Sequence, residues 1–218
     1  TLRLDYYESY TENLITDLTI PNSTGFNRVK DNLGKVKNSG YDLNASFLAW
    51  SRDRSFFSLN FGIVTNENKI VELSNSMKSY NDAMDAQAAE RGNNKPLHKY
   101  EDGMSMDAIW AVPSLGIDPA TGNEIYLTRE GNTTYQWNAK DMVVVGNSNP
   151  KYRGTFGFNA EHNGFGLNVA FRYLGGGQMY NQTLVDKVEN VDMNYNVDKR
   201  VLTGRWTYPG QEALFKRL

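Results

Sequence analysis

Between Phe165 and Tyr173 every second residue is apolar: Phe165, Leu167, Val169, Phe171 and Tyr173 alternate with Gly166, Asn168, Ala170 and Arg172. A helix would scatter these two sets around its circumference. An extended strand, whose side chains alternate between faces, sorts them cleanly. The stretch just before mirrors it: Thr155, Gly157 and Asn159 alternate with Phe156, Phe158 and Ala160, and the tight turn Glu161-His162-Asn163-Gly164 joins the two. A second pair lies upstream. Tyr41, Leu43, Ala45, Phe47 and Ala49 oppose Asp42, Asn44, Ser46, Leu48 and Trp50. After the charged turn Ser51 to Ser55, Phe57, Leu59, Phe61 and Ile63 oppose Ser58, Asn60, Gly62 and Val64. Both pairs read as antiparallel hairpins.

Composition decides what surrounds these hairpins. Mean hydropathy is −0.59, and no run approaches the roughly 20 apolar residues of a membrane-spanning helix. A membrane barrel stays open, because its alternating strands average out as polar. Aromatics reach 12%, and 25 Asn with 19 Gly supply turns between them, a balance that suits antiparallel β structure. A soluble sandwich also has one wet face, so alternation alone leaves both architectures standing. Asymmetry favours the barrel. The hairpins turn in four or five residues at one end, whereas Asn75–Asp107 and Val185–Leu202 at the other are long, polar and weakly periodic. Compact soluble domains rarely hold such loops, and outer-membrane barrels habitually do. The expected fold class is all-β, an antiparallel transmembrane β-barrel segment with long extracellular loops. Leu2–Ile15 reads as a strand leaving the bilayer, and Gly34–Gly40 as an extension of the strand at Tyr41. Asp82–Glu90 reads as one short loop helix, and Ile117–Glu124 as a tight turn.

At this point the sequence resembles a known family. Asn149-Pro150-Lys151-Tyr152-Arg153-Gly154, with the aromatic hairpin and Tyr173–Asn181 after it, resembles late barrel strands of SusC/RagA-type TonB-dependent transporters. Four more matches follow the family's order: Asp5-Tyr6-Tyr7 through Asn13-Leu14-Ile15; Ser23-Thr24-Gly25-Phe26 with Asn32 to Leu43; Gly116 to Glu124, its G-x-D-P-x-T-G element; and Trp206-Thr207-Tyr208-Pro209-Gly210. Asp42 stands where the family usually has Glu, and Gln211 where it has Asp. The resemblance implies that residues 1–218 are an incomplete C-terminal portion of a 22-stranded barrel, with no plug, TonB box or final strands present. It also implies partners: the remaining strands and plug, TonB through the absent N-terminal part, a SusD-like surface lipoprotein as lid, an oligosaccharide or peptide substrate, and membrane lipid. The implied location is the outer membrane of a Gram-negative, Bacteroidetes-like bacterium. Two rivals remain: a soluble carbohydrate-binding β-sandwich, which requires Phe57, Leu59, Phe61, Phe156 and Phe158 in a protein core, and a small self-contained outer-membrane barrel.

Little in the sequence points to catalysis. With no cysteine there is no disulfide, thiolate zinc site or cysteine nucleophile. Against 25 acidic residues stand 23 basic ones, a balance that advertises no nucleic-acid partner. His98 has no second His or Cys nearby, His162 sits in a turn, and no serine stands in a Gly-x-Ser-x-Gly elbow. Asp82 and Asp85 read as a solvated helix face. No catalytic residue, metal ligand or cofactor is expected. Substrate contacts are expected instead from loop aromatics that stack on sugars or line a cavity: Tyr100, Trp110, Tyr135, Trp137 and Tyr195. The competing reading of each is packing of loops on one another or contact with a lid protein. Asn44, Asn60, Asn159 and Asn168 are expected to face the lumen, and Tyr41, Trp50 and Tyr173 to form an interfacial girdle.

Overall fold

A computed structural model describes residues 1–19, 25, 28–91, 99–191, 194 and 196–217. Thirteen strands occur among them: β1 (Leu2–Thr11), β2 (Ile15–Thr19), β3 (Arg28–Asn32), β4 (Gly34–Arg52), β5 (Ser55–Thr65), β6 (Glu67–Leu73), β7 (Ala108–Ala111), β8 (Ser114–Ile117), β9 (Glu124–Leu127), β10 (Thr133–Thr134), β11 (Val143–Asn147), β12 (Tyr152–His162) and β13 (Phe165–Gly175). The helix α1 covers Asn75–Arg91. The chain divides into two compact units. One comprises Thr1–Ser79, Tyr100–Asp107 and Asn147–Gln178, the other Tyr80–Lys99, Ala108–Gly146 and Met179–Leu218.

The first unit is built on one antiparallel sheet in the order β1-β4-β5-β12-β13, with β6 continuing beside β4 where β5 ends. Both expected hairpins are present and tighter than the sequence suggests. Arg52 pairs with Ser55 and His162 with Phe165, leaving two-residue turns. Asn163 and Gly164 both take positive φ, 48° and 87°. Asn tolerates that region and Gly adopts it freely, so the turn matches the twist of its strands.

Register sorts the side chains in rows across the whole sheet. One face carries Leu4, Leu43, Ile63, Gly154 and Tyr173 in one row, Leu2, Ala45, Phe61, Phe156 and Phe171 in the next, and Phe47, Leu59, Phe158 and Val169 after that. The opposite face carries Asp5, Asp42, Val64, Arg153 and Leu174, then Arg3, Asn44, Gly62, Thr155 and Arg172, then Ser46, Asn60, Gly157 and Ala170, then Leu48, Ser58, Asn159 and Asn168. Asn44, Asn60, Asn159 and Asn168 therefore share the polar face, as their spacing predicts. One position differs. A β-bulge between Leu48 and Trp50 brings Trp50, rather than Ala49, opposite Phe57. Strict alternation puts Trp50 among the polar residues; the extra residue shifts it into line with the apolar set.

The apolar face is not a protein core. Leu2, Leu4, Phe47, Phe165 and Leu167 remain 57–84% exposed, and neighbours on that face touch only along the sheet, as Phe156 and Phe171 do with ring centroids 4.9 Å apart. A sandwich would have covered them with a second sheet. From Tyr152 to His162 β12 climbs 11 residues. At about 3.4 Å per residue and a tilt near 45° that is about 26 Å, the height of the apolar band of an outer-membrane barrel.

The band has a sharp upper edge. Tyr6 and Tyr41 meet at 5.2 Å between centroids, and Tyr152 and Tyr173 at 6.3 Å. Immediately beyond Tyr6 and Tyr41 the same face turns ionic: Lys37 pairs with Glu8, Lys35 with Glu12 and Lys69 with Glu67, each at 2.8 Å. Tyr173 lies over Gly154, where any Cβ would strike its ring, and its hydroxyl donates to the Gly62 carbonyl at 3.0 Å. The glycine is thus the seat of an interfacial aromatic.

Past this edge β4 runs on between β1 and β6, and the polar face closes into a small core. Leu33, Val36, Ile70, Leu73 and Met77 are buried there. Asn68 organises the covering segment, accepting from Ser105 Oγ at 2.7 Å and from the Met106 amide at 2.9 Å while donating to Asp107 at 2.7 Å. Ser74 accepts from the Met77 amide at 3.3 Å and starts α1. The helix consequently begins seven residues before the Ala-rich stretch that marks it in the sequence.

Candidate functional site

Among the described residues three excursions leave the six-stranded sheet at the end opposite its two tight turns, within 12–33, 74–151 and 176–217. The second compact unit is made from the latter two. It has its own buried residues: Val188, Val201 and Phe215 form one cluster, and Ala139 and Met142 another.

Two sequence elements lock together in this unit. Asp118 accepts from the Ala120 amide at 2.9 Å, from Thr121 Oγ1 at 2.8 Å and from Tyr135 Oη at 2.8 Å. These bonds, the Ala120 amide first, hold its carboxyl below the usual range. The turn closes at Gly122, φ +71°, whose missing side chain leaves room for the face of Trp206. The Trp206 indole N–H donates to Pro119 O at 2.9 Å, and the Gly210 amide to the same carbonyl at 2.8 Å. Beside them Arg205, 4% exposed, donates to the carbonyls of Lys216 at 2.7 Å, Glu189 at 3.2 Å and Val188. The G-x-D-P-x-T-G and R-W-x-x-P-G elements are therefore parts of one clasp.

Charge around the clasp is shaped by burial. Tyr126 donates to Glu124 at 2.6 Å, and burial together with that carboxylate pushes its hydroxyl pKa up. Burial, with Glu124 nearby, also raises the Glu189 carboxyl. Asp198, gripped by Arg200, is held at about 2.

Each described loop aromatic is engaged by its own neighbours. Trp110 is 1% exposed, with the Lys99 ammonium 5.8 Å from its ring centroid, an arrangement of packing rather than ligand stacking. Trp137 packs on Ala139 and Met142. Tyr100 is half-buried, and its hydroxyl pKa is raised by burial and by Asp107. Tyr135 is 54% exposed, its hydroxyl engaged by Asp118. Tyr195 and His98 lie outside the described residues. His162 sits at the turn end, its Nδ1 2.8 Å from Ser55 Oγ. Asp82 is exposed and Asp85 pairs with Lys99 at 2.8 Å. Among the described residues no three His, Cys, Asp or Glu side chains cluster as metal ligands.

The wall offers a better candidate. On its polar face a cleft of about 520 Å³ takes its polar lining from Asp42, Asn44, Arg153, Thr155 and Arg172 around Gly62, with Val64 and Leu174 beside them. The signal for it is in the sequence, since all are period-two partners of apolar residues, but only the register brings four strands' worth together.

Comparison with known proteins agrees with this architecture. Two TonB-dependent receptors of Formosa agariphila align with 99% and 100% of the chain at 23% and 22% identity. A third aligns over 70 residues at 33%. The solved structure of the RagAB peptide transporter superposes on all of the chain with a TM-score of 0.72 and 22% identity, and the RagAB peptide importer in its open-open state with 0.70. No family model matches. The chain is an antiparallel β-barrel segment similar to TonB-dependent receptors. It spans about a quarter of the length of the relatives it matches throughout, 24% of each of the first two Formosa receptors. In a transmembrane barrel wall the exposed rings face lipid and the polar face lines the interior, which explains how so much apolar surface is left without a protein partner.

Proposed function

We propose that residues 1–218 are part of the C-terminal barrel half of an outer-membrane TonB-dependent importer and supply wall and extracellular loops to it. The remaining strands and a plug complete the barrel, TonB engages the N-terminal part, and a SusD-like surface lipoprotein forms the lid. The cargo is an oligosaccharide or a peptide; likeness to RagAB, a peptide transporter, favours the peptide. The chain's role is non-enzymatic. Its strands hold a lipid-facing surface on one side and hydroxyl, amide and guanidinium groups on the other, and its long loops are extracellular. Uptake draws on TonB, so no nucleotide site is needed in the wall.

One observation carries this reading: a register-matched division of apolar and polar faces over five strands, with the apolar face left exposed. Separation of membranes from cells making the full-length protein tests it. The protein is expected in the outer-membrane fraction, resistant to carbonate extraction. Recovery in the soluble fraction would instead support the carbohydrate-binding sandwich.

A further inference from the structure

We propose that Arg153 and Arg172 form a carboxylate-binding station on the lumen wall, a step that rests on the importer reading because it needs the polar face to line the path of cargo. Arg153 lies opposite Leu174 and Arg172 opposite Thr155, so the two arginines are diagonal neighbours on one face. Such positions stand about 7–8 Å apart, within reach of two long side chains converging on one group.

Within these strands neither guanidinium is neutralised by a carboxylate. Arg3 pairs with Asp5 at 2.6 Å, and Asp42 accepts from Asn44 Nδ2 at 2.5 Å. Neither Arg153 nor Arg172 has a carboxylate within 4 Å among the described residues; Arg153 reaches only Asn149 Oδ1, at 3.4 Å. Two like charges side by side repel, and a shared counter-ion reverses the sign of that interaction. Asp42 stands two strands away across Val64, about 10 Å at the usual strand spacing, and directs a negative group toward the β12–β13 side.

The cleft also has the shape for a ligand. A Cβ at Gly62 would lie 3.0 Å from Asn44 Oδ1 and 3.4 Å from Thr155 Oγ1, so its absence lets an amide and a hydroxyl gather beside the guanidinium pair. Deeper rows of the polar face, Ser46, Asn60, Gly157, Ala170 and then Ser58, Asn159, Asn168, carry no charge. A single basic station above a neutral wall captures an acidic group and then releases it inward. The planar guanidinium fork matches a carboxylate. Within the two cargo classes that group is an acidic side chain or C-terminus of a peptide, or a uronate of an oligosaccharide.

The test uses the purified full-length transporter and two probe pairs: tetraglutamate against tetraglutamine, and trigalacturonate against its methyl ester. In wild type one acid probe is expected to bind at least ~10-fold tighter than its neutral counterpart, the factor typical of a charge-assisted hydrogen-bonded contact. In the Arg153→Gln/Arg172→Gln protein that preference is expected to shrink to about twofold, with neutral-probe binding unchanged. Which acid probe is preferred identifies the cargo chemistry. Equal binding of acid and neutral probes by wild type, or a preference that survives the double substitution, overturns the station. If the double variant fails to assemble, Arg172→Gln alone is expected to lower acid-probe affinity at least threefold, and no drop overturns the proposal. Uptake of a mixed peptide and oligosaccharide digest is read separately: cells that import nothing refute the importer reading, whereas import with unchanged acid preference refutes only the arginines.

Discussion

Phe156→Arg is expected to remove most of the folded protein from the membrane. Phe156 sits in the middle of the apolar band, stacked on Phe171 and paired across the ladder with Phe61. An arginine at that depth on the lipid side of a barrel costs about 2–4 kcal/mol, a large fraction of a typical protein's net stability. Asn60→Arg is the matched control. It lies one residue from Phe61 on the same strand but on the face that meets water, where the same charge costs little. The folded fraction, followed by the retarded gel mobility of an unheated barrel, is expected to collapse for the first variant and persist for the second. Equal losses would mean that the two faces do not meet different solvents.

Gly122→Val is expected to open the loop clasp while leaving the sheet intact. The residue holds φ at +71°, and a Cβ there runs into the Trp206 ring. Left-handed backbone costs a branched residue roughly 1–2 kcal/mol, and forced repacking of a filled site about 1–3 more. Gly131 is the comparison. Its φ is +88° and nothing stands within 4 Å of an added Cβ, so Gly131→Ala carries only the backbone term. Limited proteolysis of the full transporter is expected to cut residues 118–124 and 204–217 faster in Gly122→Val than in wild type, with barrel mobility unchanged. Gly131→Ala should resemble wild type. Matching digestion patterns for all three would show that the Trp206 contact does not hold the loops.

Strands were legible wherever alternation is local. The β4–β5 and β12–β13 hairpins need only a period of two and a turn of Asn, Gly or Asp, and both features sit in contiguous residues. What escaped depends on partners distant in sequence. The bulge that turns Trp50 toward Phe57 is set by cross-strand register. β6 is invisible alone because its burial comes from the Asn68 network with Ser105 and Asp107, which lie 37 and 39 residues away. The clasp was read as two separate motifs because nothing local says that Gly122 and Trp206 touch. Trp110 was a reasonable ligand-stacking candidate by residue type, yet a tryptophan is also the largest filler a loop core can take, and that is the use the structure makes of it. The arginine pair was hidden by the reverse effect: one charge per strand looks like ordinary wetting until four strands are laid side by side.

β4 has a mechanical consequence. Its 19 residues pair with β1 from Val36 to Ala45 and, on the other flank, with β6 up to Ser39 and with β5 from Asp42, so that at the junction Gly40 and Tyr41 are held in the ladder by β1 alone. A pull on the base of the excursion is carried straight into the hydrocarbon layer along a stiff beam, because nothing at the boundary can bend without breaking ladder bonds. Any swinging of the excursions must happen beyond this ladder, in segments outside the sheet.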